Sequence, residues 1–185
     1  MSSNRKFTIR ELVFISIMSA VVAVCSWISI PSVVPFTLQT LAVFCSLSIL
    51  GGRSGFFAIL VYILLGTVGF PVFSGFKGGI SILIGPTGGY IIGFLMIAGM
   101  YWIGEVLSNG NSIVNVISMT VGLMLCYTFG TLWFMFMYTR SIEKIGWFEA
   151  LKLCISPFVI PDLFKMLFAI SISNRIKKHV NLHTC

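Results

Sequence analysis

The stretch Ile113–Tyr138, IVNVISMTVGLMLCYTFGTLWFMFMY, is the longest apolar run in the chain, and it contains no Asp, Glu, Lys or Arg. A helix needs about 20 predominantly apolar residues to cross the roughly 30 Å hydrocarbon core of a bilayer. This run is longer than that minimum. It therefore predicts a helix that spans a membrane.

The composition of the whole chain agrees with this prediction. Of 185 residues, 57% are hydrophobic and 9% are charged, and the mean hydropathy is +1.03. Soluble domains average about 45–50% apolar and about 25% charged residues. The chain has too few charged side chains for a soluble enzyme or a disordered tail. We predict an all-α integral membrane protein, because its length holds roughly six spanning helices and no separate extramembrane domain.

Prolines and glycines divide the other apolar runs. Pro31 and Pro35 end the first run, because proline lacks a backbone donor, and Gly51–Gly55 forms a tight turn between two short runs. We predict that the first run is a retained helix, since it is longer than the apolar region of a typical signal peptide. The six predicted transmembrane helices are Leu12–Ile30, Leu38–Leu50, Phe56–Gly69, Tyr90–Gly104, Ile113–Tyr138 and a last one from about Phe148 or Pro157 to Ser173.

The net charge of +7 indicates topology rather than nucleic-acid binding, because the basic residues cluster at both ends of the chain. Cytoplasmic loops of membrane proteins are enriched in Lys and Arg. With both termini inside, the inner side carries Arg5, Lys6, Arg10, Arg53, Arg175, Lys177 and Lys178, and the outer side carries Lys77, Arg140, Lys144 and Lys152. We therefore predict an N-in/C-in multi-pass protein of the cell membrane. Residues 1–185 form one domain, with cytoplasmic segments at 1–10 and 176–185.

Eight of the 18 glycines fall within Gly66–Gly89, among many apolar side chains. A solvated loop would be more polar, and a straight helix would hold fewer glycines. We predict that this segment folds back over the outer side of the protein as a lid.

Asp162 and Lys165 are the candidate functional pair. Both lie within an apolar stretch, where an ionisable residue is costly and usually functional, and their spacing places them on one helix face. Pro161 suits the first position of a helix, so we expect Asp162 in the first turn, where the helix dipole favours an anion. The structural alternative is an ion pair that only fixes the start of the helix.

Two further polar segments lie on the predicted outer side, Pro35–Thr40 and Gly85–Tyr90. With Asp162 they bring an amide, hydroxyls, a carboxylate and an ammonium to one face. Aromatic residues accompany them at Phe36, Phe73, Phe76 and Tyr90. Apolar pockets with a few placed polar groups are typical of small-molecule sites.

Other chemistry is not indicated. Gly51–Gly55 does not match a nucleotide-binding loop, and the cysteines and the two tail histidines show no metal-ligand spacing. We therefore expect no cofactor, no metal and no enzymatic activity. Ser16, Ser19, Ala20 and Ala23 form two pairs of small residues four apart in the first helix. Such pairs allow close helix approach, either to a partner protein or to helices of this chain.

The segment Val34–Val43 resembles the BioY family of biotin transporters. The resemblance continues in the family's order through Leu65–Phe73, Gly85–Tyr90, Gly130–Trp133 and Pro161–Lys165. One departure is Pro161, which stands where the family usually has glycine. The blocks cover roughly residues 10 to 175.

The resemblance implies a six-helix substrate-binding subunit of an energy-coupling-factor transporter. Such subunits hold a vitamin near the outer face and work with a transmembrane coupling subunit and two ATPases. The face with Ser16, Ser19, Ala20 and Ala23 is similar to the family surface that meets the coupling protein. Whether this chain works with that module or alone stays open.

The chemistry of biotin is compatible with the candidate residues. The carboxylate of Asp162 suits the ureido N–H donors, since charge-assisted hydrogen bonds are strong. The ureido carbonyl and the remaining donor are assigned to Thr87, Gly88, Gln39 or Tyr90, and the sulfur ring to Phe36, Phe73 and Tyr90. Two arrangements of the biotin carboxylate stay open. Either Lys165 binds it and Asp162 neutralises Lys165, or Lys77 or Arg140 binds it while Asp162 contacts the ureido ring.

Other functions remain alternatives at this point. The closest alternative is a transporter subunit for another small vitamin or a hydrophobic carboxylate. An intramembrane transferase with Asp162 as a base, and a structural membrane subunit without ligand, are the alternatives of a different class.

Overall fold

A computed structural model describes residues 7–30, 34–108, 110–141 and 155–179. Long helices account for most of these residues, and two short strands pair antiparallel. In chain order the elements are α1 (Ile9–Trp27), β1 (Ser29–Ile30), β2 (Phe36–Thr37), α2 (Gln39–Val68), α3 (Ile80–Ile84), α4 (Gly88–Leu107), α5 (Ser112–Ser141) and α6 (Ser156–His179).

Within the described residues, five helices are long and apolar enough to cross a membrane: α1, α2, α4, α5 and α6. This finding agrees with the prediction of an all-helical membrane protein. Several predicted boundaries were wrong. The first helix ends at Trp27 rather than Ile30, and residues 52–55, predicted as part of a turn, are helical. The helix α4 continues past Gly104 to Leu107, and α6 includes residues 176–179, which were assigned to a polar tail.

The long helix α2 is broken at Gly51, whose φ of 81° and ψ of 171° are not helical. Residues 39 and 62 would lie about 35 Å apart in a straight helix. Instead, Gln39 Nε2 donates a hydrogen bond of 2.9 Å to Tyr62 Oη. The two halves of α2 therefore run antiparallel. Gly55 packs against the backbone of Leu47, and the distance of 2.9 Å between its ideal Cβ position and Leu47 Cα leaves no room for a side chain.

Small residues let the helices approach closely. Ser19 Oγ of α1 donates to the carbonyl of Ala58 at 2.6 Å, and Ser173 Oγ of α6 donates to the carbonyl of Ser48 at 2.6 Å. Between α4 and α5, a Cβ at Gly93 would meet Cys126 Sγ. Such contacts are typical of membrane helix packing.

The small-residue stripe of α1 is divided between two faces. Ser19 and Ala23 are buried against the chain's own helices, which for these two residues favours the alternative of packing within the chain. Ser16 and Ala20 are exposed. The pair that packs internally is therefore Ser19 and Ala23, and the pair available to another protein is Ser16 and Ala20.

Glu105 stabilises the reversal in α2. Glu105 lies within α4, and its Oε2 accepts a hydrogen bond of 2.6 Å from the backbone N–H of Gly52. This N–H begins the second half of α2, where the first amides have no partner within the helix.

We predict that Glu105→Ala lowers the free energy of unfolding by about 1.5–3 kcal/mol, since a hydrogen bond to a charged group is lost. Thermal unfolding in detergent measures the effect. Glu105→Gln keeps an acceptor oxygen and is expected to lose less than half as much. An Ala variant as stable as the parent would contradict the role of this contact.

Candidate functional site

A cavity of about 450 Å³ lies at the end of the bundle where α2, α4 and α6 begin. Its volume is within the roughly 300–1,000 Å³ range of small-molecule pockets. Four parts of the chain line it: the start of α2 and the residues before it (Val34, Pro35, Thr37, Gln39, Thr40), the segment after α2 (Phe73, Ser74, Lys77, Ser81, Ile82, Gly85, Pro86, Thr87), helices α4 and α5 (Tyr90, Ile91, Phe94, Leu123, Cys126, Tyr127) and α6 (Phe158, Asp162, Lys165).

Asp162 is 2% exposed and lies in the wall of this cavity. Its Oδ1 accepts hydrogen bonds from Lys165 Nζ at 2.9 Å and Thr40 Oγ1 at 2.8 Å. Its Oδ2 accepts a hydrogen bond from Tyr127 Oη at 2.7 Å. A carboxylate has about four acceptor positions, so among the described residues one position on Oδ2 has no partner.

Lys165 uses all three of its N–H donors. Its Nζ donates to the carbonyl of Thr37 at 2.7 Å, to Thr40 Oγ1 at 3.0 Å and to Asp162 Oδ1 at 2.9 Å. The ammonium also lies 4.2 Å from the ring centroid of Phe36, a cation–π distance. Lys165 is therefore paired inside the protein and has no donor left for a second anion.

The predicted position of Asp162 in its helix was wrong. Helix α6 begins at Ser156, so Pro157 lies in its first turn and Pro161 is inside the helix. Asp162 falls in the second turn, beyond the range in which the helix dipole acts strongly. Hydrogen bonds from Thr40, Tyr127 and Lys165 stabilise the carboxylate instead.

Several other candidate residues also line the cavity. Gln39 uses its amide nitrogen on Tyr62, and Tyr90 Oη lies 3.0 Å from Thr131 Oγ1. Thr87 precedes the first residue of α4, and its hydroxyl makes no cap hydrogen bond. These polar groups lie in the wall near the start of α2 and α4.

The segment after α2 forms one wall. Phe73 is 1% exposed and packs directly over Gly66, where any side chain would strike its ring. Phe73 and Lys77 form a short antiparallel bridge, with Phe73 N donating to the Lys77 carbonyl at 2.9 Å. The side chain of Lys77 is exposed at the rim. Trp133 Nε1 donates to the Gly85 carbonyl at 3.0 Å and holds the far end of the segment.

Three predicted contacts lie elsewhere. Phe36 packs against Phe158, with ring centroids 5.8 Å apart, and its ring contacts the ammonium of Lys165. It is not among the residues that line the cavity. Gly88 begins α4 tightly against the backbone of Leu83. Phe76 stacks on Trp27 at 4.9 Å, away from the lining. The side chain of Arg140 lies outside the described part of the chain.

Sequence reasoning missed Tyr127 as a site residue, and it did not single out Thr40 within the segment Pro35–Thr40. Tyr127 lies in the middle of the apolar run that forms α5. The available signal was a phenol at membrane depth, because a buried tyrosine hydroxyl usually needs a hydrogen-bond partner. Asp162 supplies that partner.

Apolar helices that enclose a mostly apolar cavity with a few polar groups are typical of a membrane protein that binds a small molecule between its helices. Comparison with known proteins agrees. The chain belongs to the BioY family, whose family model matches residues 1–182. This result confirms the resemblance seen in the sequence.

Two relatives are similar over most of their length. The biotin transporter BioY of Thermotoga maritima is 40% identical over 171 residues, covering 91% of this chain and 96% of the relative. The biotin transporter BioY2 of Lactococcus lactis subsp. cremoris is 40% identical over 158 residues, covering 85% and 84%. Both relatives are named as transporters rather than enzymes.

The fold matches a solved structure, the S-component for biotin from an ECF-type ABC transporter. The TM-score is 0.79 at 23% sequence identity, and the match covers 96% of this chain and 95% of that chain. This likeness shows that the two chains share a fold.

We predict that Lys165→Met destabilises the protein by about 3–5 kcal/mol, because it leaves the buried Asp162 carboxylate without its cation. The double variant Asp162→Asn/Lys165→Met removes both charges and is expected to be more stable than Lys165→Met alone. Chemical unfolding in detergent of the single and double variants measures the coupling. Additive effects of the two single substitutions would show that the pair is not coupled.

Proposed function

We propose that this protein binds biotin in the cavity beside Asp162 and serves its uptake across the cell membrane. The observation that carries the proposal is a buried carboxylate with one open acceptor position in a mostly apolar cavity. The names of the two relatives support biotin as the ligand.

The ureido ring of biotin has two N–H donors and one carbonyl. One N–H pairs with the open position on Asp162 Oδ2, in a charge-assisted hydrogen bond. The other N–H donates to the amide oxygen of Gln39, which is an acceptor. The amide nitrogen of Gln39 is already bound to Tyr62. The hydroxyl of Thr87 is suited to donate to the carbonyl.

The carboxylate of biotin needs a cation, and the hydrogen bonds of Lys165 argue against that residue. All three of its donors are engaged by Thr37, Thr40 and Asp162. Lys77 lies at the rim, lines the cavity, and forms no salt bridge with any carboxylate of the described residues. Of the two arrangements open from the sequence, we therefore favour Asp162 at the ureido ring and Lys77 at the carboxylate.

The thiophane ring and the aliphatic tail of biotin are apolar. Phe73, Ile91, Phe94 and Phe158 line the same cavity as Asp162 and Lys77 and provide apolar surface for these parts. Burying apolar ligand surface there contributes roughly 25 cal/mol per Å². The polar contacts then set the orientation of the ligand.

We further propose that the chain crosses the membrane six times, with each half of α2 as one crossing. Both termini face the cytoplasm, and residues 1–185 form one domain in the cell membrane. The cavity then opens to the outer side, and Gly66–Gly89 acts as its lid. The reversal at Gly51 supports this count, and the distribution of basic residues supports the orientation.

We propose an energy-coupling-factor module, with a transmembrane coupling subunit and two ATPases, as the partner. The exposed small residues Ser16 and Ala20 of α1 provide a surface for close approach of another helix. The fold shared with a solved S-component of an ECF-type transporter supports this assignment.

We predict saturable binding of labelled biotin to the detergent-purified protein. Asp162→Asn is expected to weaken binding roughly ten- to hundredfold, because a charge-assisted hydrogen bond is lost. Ser171→Ala is a matched control on the same helix, since its hydroxyl is exposed and bonds only its own helix at Leu167. Thr87→Val tests the site without disturbing the buried ion pair.

Competition with desthiobiotin and unrelated vitamins distinguishes biotin from other small carboxylates. A folded parent protein that binds none of these ligands would refute the proposed function. Strong binding of another vitamin in place of biotin would redirect the assignment to that ligand.

Lys77→Met tests the orientation of the ligand. We predict that the parent protein binds biotin roughly tenfold better than uncharged biotinamide, since the amide lacks the charge that an ammonium attracts. Lys77→Met is expected to remove this preference, and Arg175→Met, at the far end of α6, to keep it. Binding assays with both ligands give the result. A preference retained in Lys77→Met would assign the carboxylate to Arg140 or Lys165.

A further inference from the structure

A second cavity, of about 400 Å³, lies at the opposite end of the bundle from the biotin cavity. It is bounded by the middle of α2 at Ser48, the last turns of α4 at Tyr101, the start of α5 at Ser112 and the end of α6. The proposed function makes no use of this space.

The two cavities are separated by closely packed apolar side chains. Along α5, Leu123 lines the first cavity and Met119 the second, and both are 1% exposed. Ile97 of α4 and Met166 of α6 belong to the same core cluster and are 0% and 4% exposed. The second cavity is therefore a separate site rather than an extension of the first.

The charges of the second cavity have one sign. Lys177 and Lys178 line it, and its lining includes no Asp or Glu. Within the described residues, neither lysine forms a salt bridge with a carboxylate. Among the described residues, therefore, no carboxylate compensates the positive charge of this space, and such a charge attracts an anion.

Uncharged donors complete the lining. Ser112 begins the 30-residue helix α5, and the positive end of a helix favours negative charge. Asn115 is in the first turn of α5 and lines the cavity, and its buried Oδ1 has no hydrogen-bond partner among the residues that the structure describes. An amide oxygen can only accept, so it pairs with a hydroxyl of the ligand, which is the P–OH of monoprotonated phosphate or a glycerol hydroxyl of a phosphatidylglycerol headgroup, while the amide N–H groups donate to phosphate oxygens.

We propose that this second cavity binds a phosphate-bearing anion between Lys177, Lys178 and the start of α5. Two sources share this chemistry: the headgroup of an anionic phospholipid, and free inorganic phosphate. Basic pockets between transmembrane helices are known to take lipid headgroups. In the proposed topology this end of the bundle faces the inner leaflet, where such lipids are concentrated.

Native mass spectrometry of the purified protein with short-chain phosphatidylglycerol or phosphatidylcholine tests the lipid source. We expect the parent protein to bind phosphatidylglycerol roughly tenfold better, and Lys177→Gln/Lys178→Gln to lose most of this preference. Arg175→Gln removes a neighbouring exposed charge outside the cavity lining and is the matched control. Asn115→Leu tests the uncharged part of the site.

Thermal unfolding with inorganic phosphate, against chloride at equal ionic strength, tests the free anion. Stabilisation of the parent protein but not of the double variant, without lipid preference, would assign the site to free phosphate. Equal binding of both lipids together with no effect of phosphate would overturn the proposal. So would equal losses in the double variant and Arg175→Gln, because attraction would then come from the general surface charge.

Biotin binding by the same variants separates this inference from the proposed function. The double variant is expected to bind biotin as the parent does, since its lysines lie outside the first cavity. If the protein prefers the anionic lipid or is stabilised by phosphate but does not bind biotin, the proposed function fails while the second site is supported.

Discussion

The buried ion pair between Asp162 and Lys165 is the interaction on which the rest of the site depends. It joins three elements, because Asp162 of α6 also accepts hydrogen bonds from Thr40 in the first turn of α2 and from Tyr127 of α5. A pair of this kind does not by itself add stability, since desolvation offsets much of the attraction. Breaking one partner is costly, however, and the network therefore restricts how these helices can be placed around the cavity.

The reversal of α2 at Gly51 makes this network geometrically possible. Because the chain turns back there, the start of α2 and the segment that follows it meet at the same end of the bundle, where Gln39 bonds Tyr62. The lining residues from Val34 to Thr40 and those from Phe73 to Thr87 consequently line the same cavity. A non-helical φ of 81° requires glycine at this position, so one residue type in the sequence determines where the site can form.

The sequence predicted the membrane class, a break within the glycine cluster and the pairing of Asp162 with Lys165, because each rests on a strong local signal: apolar length, glycine clusters, and charge at membrane depth. It placed the turn at Gly51–Gly55, whereas only Gly51 of these residues leaves the helical conformation. It placed Asp162 in the wrong turn, since Pro157 and Pro161 both resemble helix starts and only the packing of α6 distinguishes them. It did not identify Tyr127, because the partner of a buried hydroxyl is set by how helices meet rather than by spacing along one helix. Gly88 was assigned to the ligand, whereas it provides room for the backbone of Leu83.

Because the ion pair is neutral overall, the buried Asp162 carboxylate is stabilised both when the cavity is empty and when it holds a ligand. Without ligand, Lys165 satisfies the charge of Asp162, so neither residue is left as an isolated ion in a low-dielectric environment. A neutral hydrogen-bonding ring can add to the open position on Asp162 without changing this balance. An anionic group placed at the same point would meet a carboxylate whose cation already has its full set of hydrogen bonds. The charge of the ligand is therefore expected at the other end of the cavity, toward Lys77, and the ion pair sets the orientation by excluding the reverse one.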